Sequence, residues 1–299
     1  VLKQTSNGET WFGIMPQDSE RDEVYVYKFD YDEGDRWIRT DPSYRLQIYT
    51  DIAAELLNTI SLDVDEIGTQ KAAVALFEDV DGNYRISIGY ADTLLALKTE
   101  GGTTVYLASE YDLRDIVILK NQSGTSDTDT QSGTAVILDN KKQVVWFKNY
   151  FANVAGLTSI DAFSDADLGV SYAVGPNPVG MALNAAKDTL YVLNAGDNTV
   201  TAMKVKRTDG TVASPAEIVS QTIDLSSYFS GKSLTLSANT INAYTAESGD
   251  EYLLVGTPDI SAFTAFKAPV LPRIHPVPTP AIPLPHVPTA PGMPGPRGL

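Results

Sequence analysis

The sequence contains no cysteine, and its two histidines, His275 and His286, both lie near the C-terminal end. Without cysteine there are no disulfides, no thiolate nucleophiles and no cysteine-ligated zinc or iron–sulfur sites. Without histidine, residues 1–268 cannot hold a Ser-His-Asp triad or an HExxH-type metal site. Catalysis in that part of the chain is therefore restricted to carboxylates, lysine, tyrosine or an oxygen-ligated metal ion.

Basic residues are also scarce in this chain. It carries 22 Lys+Arg against 38 Asp+Glu, which gives a formal net charge of −16. A nucleic-acid surface needs clustered lysine and arginine to neutralise phosphates, so the charge argues against nucleic acid as a partner. No apolar run approaches the roughly 20 residues that a membrane-spanning helix requires, so no membrane span is predicted.

Short runs of β-branched, aromatic and aliphatic residues, separated by Gly, Asp and Asn, dominate residues 1–268 and are typical of β-strands. Four segments share a degenerate pattern of a small apolar strand, a polar turn, a second strand and usually a third, namely 73–98, 134–148, 180–204 and 241–267. Multi-stranded units that recur about every 40–60 residues predict an all-β fold with a β-propeller-like body of about five blades. The alternative is a pair of β-sandwiches or an elaborated jelly roll.

One of these units carries a more specific motif. The run NPVGMAL at 177–183, followed by DTLYVLNAGDNTV at 188–200, resembles a YVTN-type β-propeller repeat. That repeat opens on P-x-G-[IVM]-A, continues with an L-Y-V-x-N strand and ends on a G-[SD]-N-T-V hairpin. The resemblance covers residues 177–204 and implies a propeller fold. The other units keep only the alternation of strands and turns, so the number of blades stays open.

The C-terminal part has a different composition, since 11 of the 17 prolines lie between Pro269 and Pro296. Such density fixes φ and removes backbone donors, which predicts polyproline II over residues 269–291. Residues 292–299 place glycine at every third position, which is typical of the onset of a collagen triple helix. The chain is thus divided into a propeller-like domain (1–268), a proline-rich segment and a collagen-like end. Since it starts at Val1 and ends on such triplets, we expect the natural protein to extend further.

A collagen-like end implies a homotrimer that assembles through the C-terminal part. Apolar residues among the prolines require a packing surface, either a groove of the same chain or a neighbouring subunit. This architecture resembles that of bacteriophage tail-fibre and minor tail proteins, which implies a virion or cell-surface location. Neighbouring virion or appendage proteins and a cell-surface glycan are then the expected partners. The predicted assembly residues are Pro269, Ile274, Pro276, Pro278, Pro280, Ile282, Pro283, Pro285, Pro288, Gly292, Gly295 and Gly298.

The best candidates for a cation site are Asp79, Asp81 and Asn83, because D-x-D-G-N begins like a calcium loop. An EF-hand loop needs glycine at its sixth position and glutamate at its twelfth. This sequence has Tyr84 and Tyr90 there. A hairpin turn is therefore the favoured interpretation, and no cofactor is assigned, with Ca²⁺ kept as the alternative.

Two further expectations concern the segment before this turn. Residues Asp51–Ile60 predict a helix, because Asp51 can cap it and the apolar residues recur at helical spacing. Asp63, Asp65 and Glu66 then predict a solvated acidic loop, with cation binding as the alternative.

Taken together, these patterns predict a non-enzymatic structural or binding component of an extracellular fibre, most closely a phage tail protein. The acids are too plentiful for one catalytic pair to be distinguished, and no catalytic or ligand-binding residue is assigned. One alternative is a secreted propeller hydrolase or lactonase that uses carboxylates and a divalent cation at one mouth of the central channel. The other is a monomeric YVTN-type surface binding module.

Overall fold

The computed structural model describes thirteen stretches of the chain. They are residues 2–4, 10–14, 23–32, 37–49, 57–67, 70–91, 104–106, 108–121, 132–149, 168–229, 241–246, 248–257 and 262–276. Within these stretches the elements are β-strands and one short 3-10 turn at Pro215–Glu217. In the same stretches, no helix has the length and apolar character needed to cross a membrane.

The strands form five antiparallel sheets, which we number as blades 1 to 5. Blade 1 contains β1 (Leu2–Gln4), β2 (Thr10–Ile14), β3 (Glu23–Asp32) and β4 (Trp37–Tyr49). Blade 2 contains β5 (Leu57–Ile67), β6 (Gln70–Asp79), β7 (Tyr84–Ala91) and β8 (Thr104–Tyr106). Blade 3 contains β9 (Leu113–Asn121), β10 (Ser132–Asp139), β11 (Val144–Asn149) and β12 (Val170–Ala173). Blade 4 contains β13 (Pro178–Leu183), β14 (Thr189–Asn194), β15 (Thr199–Lys204) and β16 (Val219–Asp224), and blade 5 contains β17 (Ile241–Thr245), β18 (Glu251–Thr257) and β19 (Ala262–Lys267).

Each blade is a meander in which neighbouring strands follow chain order. The first strand of each blade lies beside the first strand of the next, so that β1 contacts β5, β5 contacts β9, β9 contacts β13 and β13 contacts β17. The first strands are therefore the inner strands, and the blades succeed one another as they do in a β-propeller. The all-β prediction is confirmed, and the described part of the body is propeller-like.

Apolar layers between consecutive blades hold this arrangement together. Alternate residues of β9 face opposite layers, because side chains along a strand alternate between its two sides. Ile116 and Ile118 pack towards blade 2, whereas Val117 and Leu119 pack towards blade 4. A third layer, between blades 4 and 5, includes Tyr191, Leu193, Leu253 and Phe266. Strands that are buried on both sides explain why the sequence shows continuous apolar runs.

Polar residues at the end of the second strand organise the hairpins of blades 2, 3 and 4. Asp79 Oδ1 accepts the backbone N–H groups of Asp81 and Asn83 at 3.1 and 2.9 Å. Asp139 Oδ1 in blade 3 accepts the N–H of Lys141 at 3.0 Å. Asn194 stands at the same place in blade 4, where its amide donates to Thr199 Oγ1 at 3.0 Å. The degenerate sequence pattern therefore corresponds to a repeated structural unit.

The helix predicted over Asp51–Ile60 is wrong for its last four residues, because residues 57–60 belong to β5. Residues 51–56 lie outside the described part of the chain. β5 pairs with β6 from Leu57 to Ile67, and this pairing outweighs the weak local preference for helix. Asp63 and Asp65 consequently lie within a strand, and both are buried rather than in a solvated loop.

After β19 the chain stays on the body through residues 268–276, which we call the strap. Leu271 and Ile274 are only 8% and 7% exposed. Leu271 packs into the layer between blades 4 and 5. Ile274 forms a parallel bridge with Arg207 of blade 4, and its carbonyl accepts the Thr208 N–H at 2.9 Å. The strap thus fastens the end of blade 5 onto blade 4.

Three of the predicted assembly residues lie within the strap. Ile274 packs against its own chain, Pro269 is partly buried and Pro276 is exposed. The other predicted assembly residues lie outside the described part of the chain, namely Pro278, Pro280, Ile282, Pro283, Pro285, Pro288, Gly292, Gly295 and Gly298. Trimerisation through them stays a prediction.

Candidate active site

The inner strands bring three buried carboxylates and a serine together. Ser61, Asp63 and Asp65 alternate along β5 and therefore point to the same side of the strand. Asp115 lies on β9, the next inner strand. Ser61 Oγ donates to Asp115 Oδ1 at 2.5 Å, which sets the register between the two strands.

Two of these carboxylates link one blade to the next. Asp63 Oδ2 accepts the Ile118 N–H of blade 3 at 2.7 Å. Asp115 Oδ2 accepts the Met181 N–H of blade 4 at 2.8 Å. The inner edge of a blade has no further strand to pair with, and buried N–H groups need acceptors. Asp63 and Asp115 thus satisfy inner-edge amides and fix the relative position of blades 2, 3 and 4.

The third carboxylate, Asp65, holds a lysine from a distant part of the chain. Lys187 Nζ lies 2.8 Å from Asp65 Oδ2, and the two side chains are 8% and 0% exposed. Burial alone lowers the pKa of Lys187, but the carboxylates of Asp63 and Asp65 outweigh it and raise the pKa above its ordinary value. Lys187 is therefore an ammonium ion held beside the inner strands.

The β13–β14 turn that carries Lys187 is fixed by Asn184. The Asn184 side-chain oxygen accepts the N–H groups of Asp188 and Thr189, both at 3.0 Å. Its backbone carbonyl accepts the Lys187 N–H at 2.8 Å. Lys187 itself has φ +51, a left-handed conformation that such a turn can impose on one residue. The direction of the lysine is therefore set by the turn.

Blade 5 supports this turn from the side. Glu251, at the start of β18, accepts a hydrogen bond from the Tyr191 hydroxyl at 2.9 Å and another from the Asn184 amide. Burial, together with the neighbouring carboxylate of Glu251, raises the pKa of Tyr191 above its ordinary value. Tyr191 therefore stays protonated and acts as a hydrogen-bond donor that links blades 4 and 5.

A second lysine, Lys206, lies just beyond β15. Burial lowers the pKa of Lys206 to about 8. The positive charges of Lys187 and Lys120 act in the same direction, while Asp65 and Asp188 oppose the shift. The β13–β14 turn follows one inner strand, and Asp65 and Lys120 lie near the ends of two others. These groups therefore meet at the carboxyl-terminal ends of the inner strands.

Lys206 releases its proton near pH 8, whereas Lys187 keeps its proton, so near neutral pH the neutral amine is more populated at Lys206 than at Lys187. A pair of groups whose environments move their pKa values apart can divide acid and base roles. A neutral amine accepts a proton, and an ammonium ion stabilises negative charge that develops on an oxygen. The arrangement can therefore activate water and stabilise an oxyanion without histidine or cysteine.

The cation candidates from the sequence lie elsewhere, in the β6–β7 hairpin. Asp79 uses one carboxylate oxygen for the turn, and the other accepts from Arg85 Nε at 3.0 Å. The Asn83 side-chain oxygen accepts the Ala108 N–H at 3.2 Å, and Asp81 is exposed. These residues build the hairpin, as the favoured interpretation expected. Among the described residues, no group of three or more acids or histidines is arranged to hold a metal ion.

Sequence reasoning did not single out either lysine of the site. The alternation of Ser61, Asp63 and Asp65 is a strand signal that could have moved these acids from a loop to an inner strand. Lys187 and Asp65 are 122 residues apart in the chain, and no local pattern connects them. Their contact follows only from the packing of blade 4 beside the inner strands.

No family model matches this chain, and no curated protein matches it. Solved structures similar to it include the exo-β-1,3-galactanase of Phanerochaete chrysosporium, at 10% identity and a TM-score of 0.46, over 89% of this chain and 60% of that one. The periplasmic gluconolactonase of Pseudomonas aeruginosa aligns at 11% identity and a TM-score of 0.43, over 89% and 71%. The hydrazine synthase of Kuenenia stuttgartiensis aligns at 13% identity and a TM-score of 0.41, over 89% and 70%.

The prediction that the chain is not an enzyme is corrected at this point. The prediction assumed that a β-rich body without histidine and cysteine has only a structural or binding role. The three similar structures described above are named as enzymes, a gluconolactonase among them.

Proposed function

We propose that this chain is a β-propeller hydrolase that opens lactones or closely related esters by attack of water. The observation that carries the proposal is the meeting of Lys187, Lys206, Asp63 and Asp65 at the ends of the inner strands. This function was the alternative in the sequence analysis, and it replaces the structural fibre component as the favoured function. The lactone class is also the class named for the Pseudomonas aeruginosa structure.

In the proposed reaction Lys206 is the general base. Its neutral amine takes a proton from water while the water oxygen attacks the carbonyl carbon of the lactone. The carbonyl oxygen gains negative charge, and the Lys187 ammonium stabilises it through an N–H donor. The ring C–O bond then breaks, and Lys206 returns the proton to the leaving oxygen. One water and one lactone give one hydroxy acid, with no net change in the lysines.

The carboxylates support the reaction by holding Lys187 in its charged form. Asp65 pairs directly with Lys187 Nζ, and Asp63 raises the pKa of Lys187 from a greater distance. Losing either negative charge lowers the pKa of Lys187 and weakens the oxyanion site. Asp63 and Asp65 are therefore positioning residues, whereas the two lysines contact the reacting atoms.

A panel of lactones, including glucono-δ-lactone, tests the proposal by acid release measured with a pH indicator against buffer alone. We expect Lys206→Met and Lys187→Met each to lower kcat/KM by about 10²–10³. Lys267→Met is the matched control, because Lys267 is an exposed lysine that pairs with Asp250 on blade 5. The proposal is overturned if no lactone is hydrolysed above the buffer rate, or if the Lys206 variant keeps full activity.

Chelation separates this mechanism from the cation-dependent alternative. Since the proposed steps use only lysine side chains, we expect activity to survive EDTA. Activity that EDTA abolishes and Ca²⁺ restores assigns the activation of water to a bound cation instead. The expected homotrimer, virion or cell-surface location and glycan partner stay predictions.

A further inference from the structure

Three cationic residues lie within four positions at and just beyond the end of β15. One of them differs from the other two in its ion pairing. Lys204 pairs with Asp188 at 2.7 Å, and Arg207 pairs with Glu217. Lys206 lies between them, and no acid in the described part of the chain comes within 4.0 Å of its amine. A half-buried lysine without a paired acid beside two paired cations is an unusual environment in a chain of net charge −16.

The charges that face Lys206 come from three neighbouring segments. Asp65 lies on β5, Lys120 on β9, and Lys187 and Asp188 in the β13–β14 turn. Asp65 is already neutralised by Lys187, and Asp188 by Lys204. Lys206 therefore faces acids that already have cationic partners, together with two further ammonium groups.

A lysine that is desolvated and lies next to other cations is activated as a nucleophile, because its neutral form is favoured. The backbone on either side of Lys206 is also fixed. Lys206 bridges to Val212, and Arg207 bridges to Ile274 of the strap. The backbone that carries the amine is thus held in one region, while burial and the like-charged neighbours lower the pKa of Lys206.

We propose that Lys206 forms an imine with small 2-oxo acids. The carbonyl carbon of such a compound reacts with the neutral amine of Lys206, and its carboxylate is attracted to the ammonium groups of Lys120 and Lys187. This activity is distinct from lactone hydrolysis and does not depend on it.

The reaction is balanced without any further reactant. The lone pair of the Lys206 nitrogen adds to the carbonyl carbon, and the carbonyl oxygen takes up the proton that the nitrogen loses. The resulting carbinolamine releases water as the C=N bond forms. One amine and one carbonyl compound therefore give one imine and one water, with no oxidation or reduction.

Reductive trapping of the full chain with glyoxylate and cyanoborohydride tests the proposal. Cyanoborohydride reduces the imine to a secondary amine, which leaves a carboxymethyl group that peptide mass mapping locates. At pH 7.5 we expect Lys206 to be modified at least about tenfold faster than Lys204 or Lys267, because each of the other two is paired with a carboxylate. Equal rates at the three lysines, or no modification of Lys206, overturn the proposal.

Two further arms identify the cause of the reactivity. Lys120→Gln removes a facing ammonium group and leaves the Asp65–Lys187 pair intact, so we expect slower trapping at Lys206. Propionaldehyde, which carries no carboxylate, is expected to react several-fold more slowly than glyoxylate. If neither the Lys120 variant nor the change of aldehyde alters the trapping rate at Lys206, the neighbouring lysines neither activate Lys206 nor attract the carboxylate. The proposal then fails.

The outcome is distinguishable from that of the lactone assay. A chain that traps glyoxylate at Lys206 but hydrolyses no lactone keeps this inference and loses the proposed hydrolysis. A chain that hydrolyses lactones but shows no preference for Lys206 in trapping keeps the hydrolysis and loses the imine.

Discussion

At the scale of single residues, the environment of each lysine decides its protonation state. Lys187 has two buried carboxylates close by, and Lys206 has none within ion-pair distance among the described acids. Sequence composition could exclude histidine and cysteine chemistry, but it could not separate these two lysines from the others. The distinction depends on burial and on charges brought in from other blades.

The lowered pKa of Lys206 has a consequence for stability. The unfolded chain holds the Lys206 proton up to about pH 10.4, whereas the folded chain releases it near pH 8. Between these values the unfolded state binds more protons, so the free energy of unfolding rises with pH. Below pH 8 the folded chain must bury the charged amine, which costs stability.

We therefore expect Lys206→Met to stabilise the protein at pH 7 by about 1–3 kcal/mol. The gain should shrink steadily from pH 8 to pH 10. Urea unfolding at pH 7, 8, 9 and 10 measures it, with Lys267→Met as the matched control. A difference that stays constant over this range contradicts the assigned shift.

At the scale of elements, the blades are recognisable from sequence because hairpins and alternation are local. The strand runs and the turns of Gly, Asp and Asn between them predicted most of blades 2 to 4. The helix predicted over Asp51–Ile60 was wrong at residues 57–60, because a short amphipathic run fits helix and strand equally well until its pairing partner is known. Links between blades, such as Asp63 to Ile118, join distant elements and leave no periodic signal.

Asp115 provides a test of the links between blades. Asp115→Ala leaves the Met181 N–H and the Ser61 hydroxyl without their acceptor in a buried place. We expect a loss of about 2–4 kcal/mol in the free energy of unfolding, measured by urea denaturation. Asp197→Ala is the control, because Asp197 is exposed and its carboxylate accepts from Thr199 within its own hairpin. Equal losses in the two variants contradict a special role for Asp115.

At the scale of the whole molecule, the change in composition near residue 268 does not coincide with the end of the contacts made by the body. The proline content predicted a separate segment from Pro269, yet Leu271 and Ile274 belong to the packing of blades 4 and 5. Composition registers the restricted backbone of proline, whereas burial depends on the apolar residues between the prolines. The boundary set by composition therefore lies several residues before the boundary set by packing.

The predicted homotrimer can be tested by mass in solution. Light scattering gives the mass of the full chain and of a chain that ends at Pro276. The shortened chain keeps the whole strap. The prediction expects a trimer for the full chain and a monomer for the shortened one. Monomers in both cases contradict trimerisation through residues 277–299.

The strap also determines where a mechanical load enters the body. A force applied through the C-terminal residues first meets the Ile274–Arg207 bridge and the buried Leu271, before it reaches β19. Blade 4 and blade 5 then share the load, and the last strand of blade 5 is protected from being peeled away one hydrogen bond at a time. Because Lys206 precedes Arg207 directly, tension on the C-terminal end also acts on the backbone that positions the reactive amine.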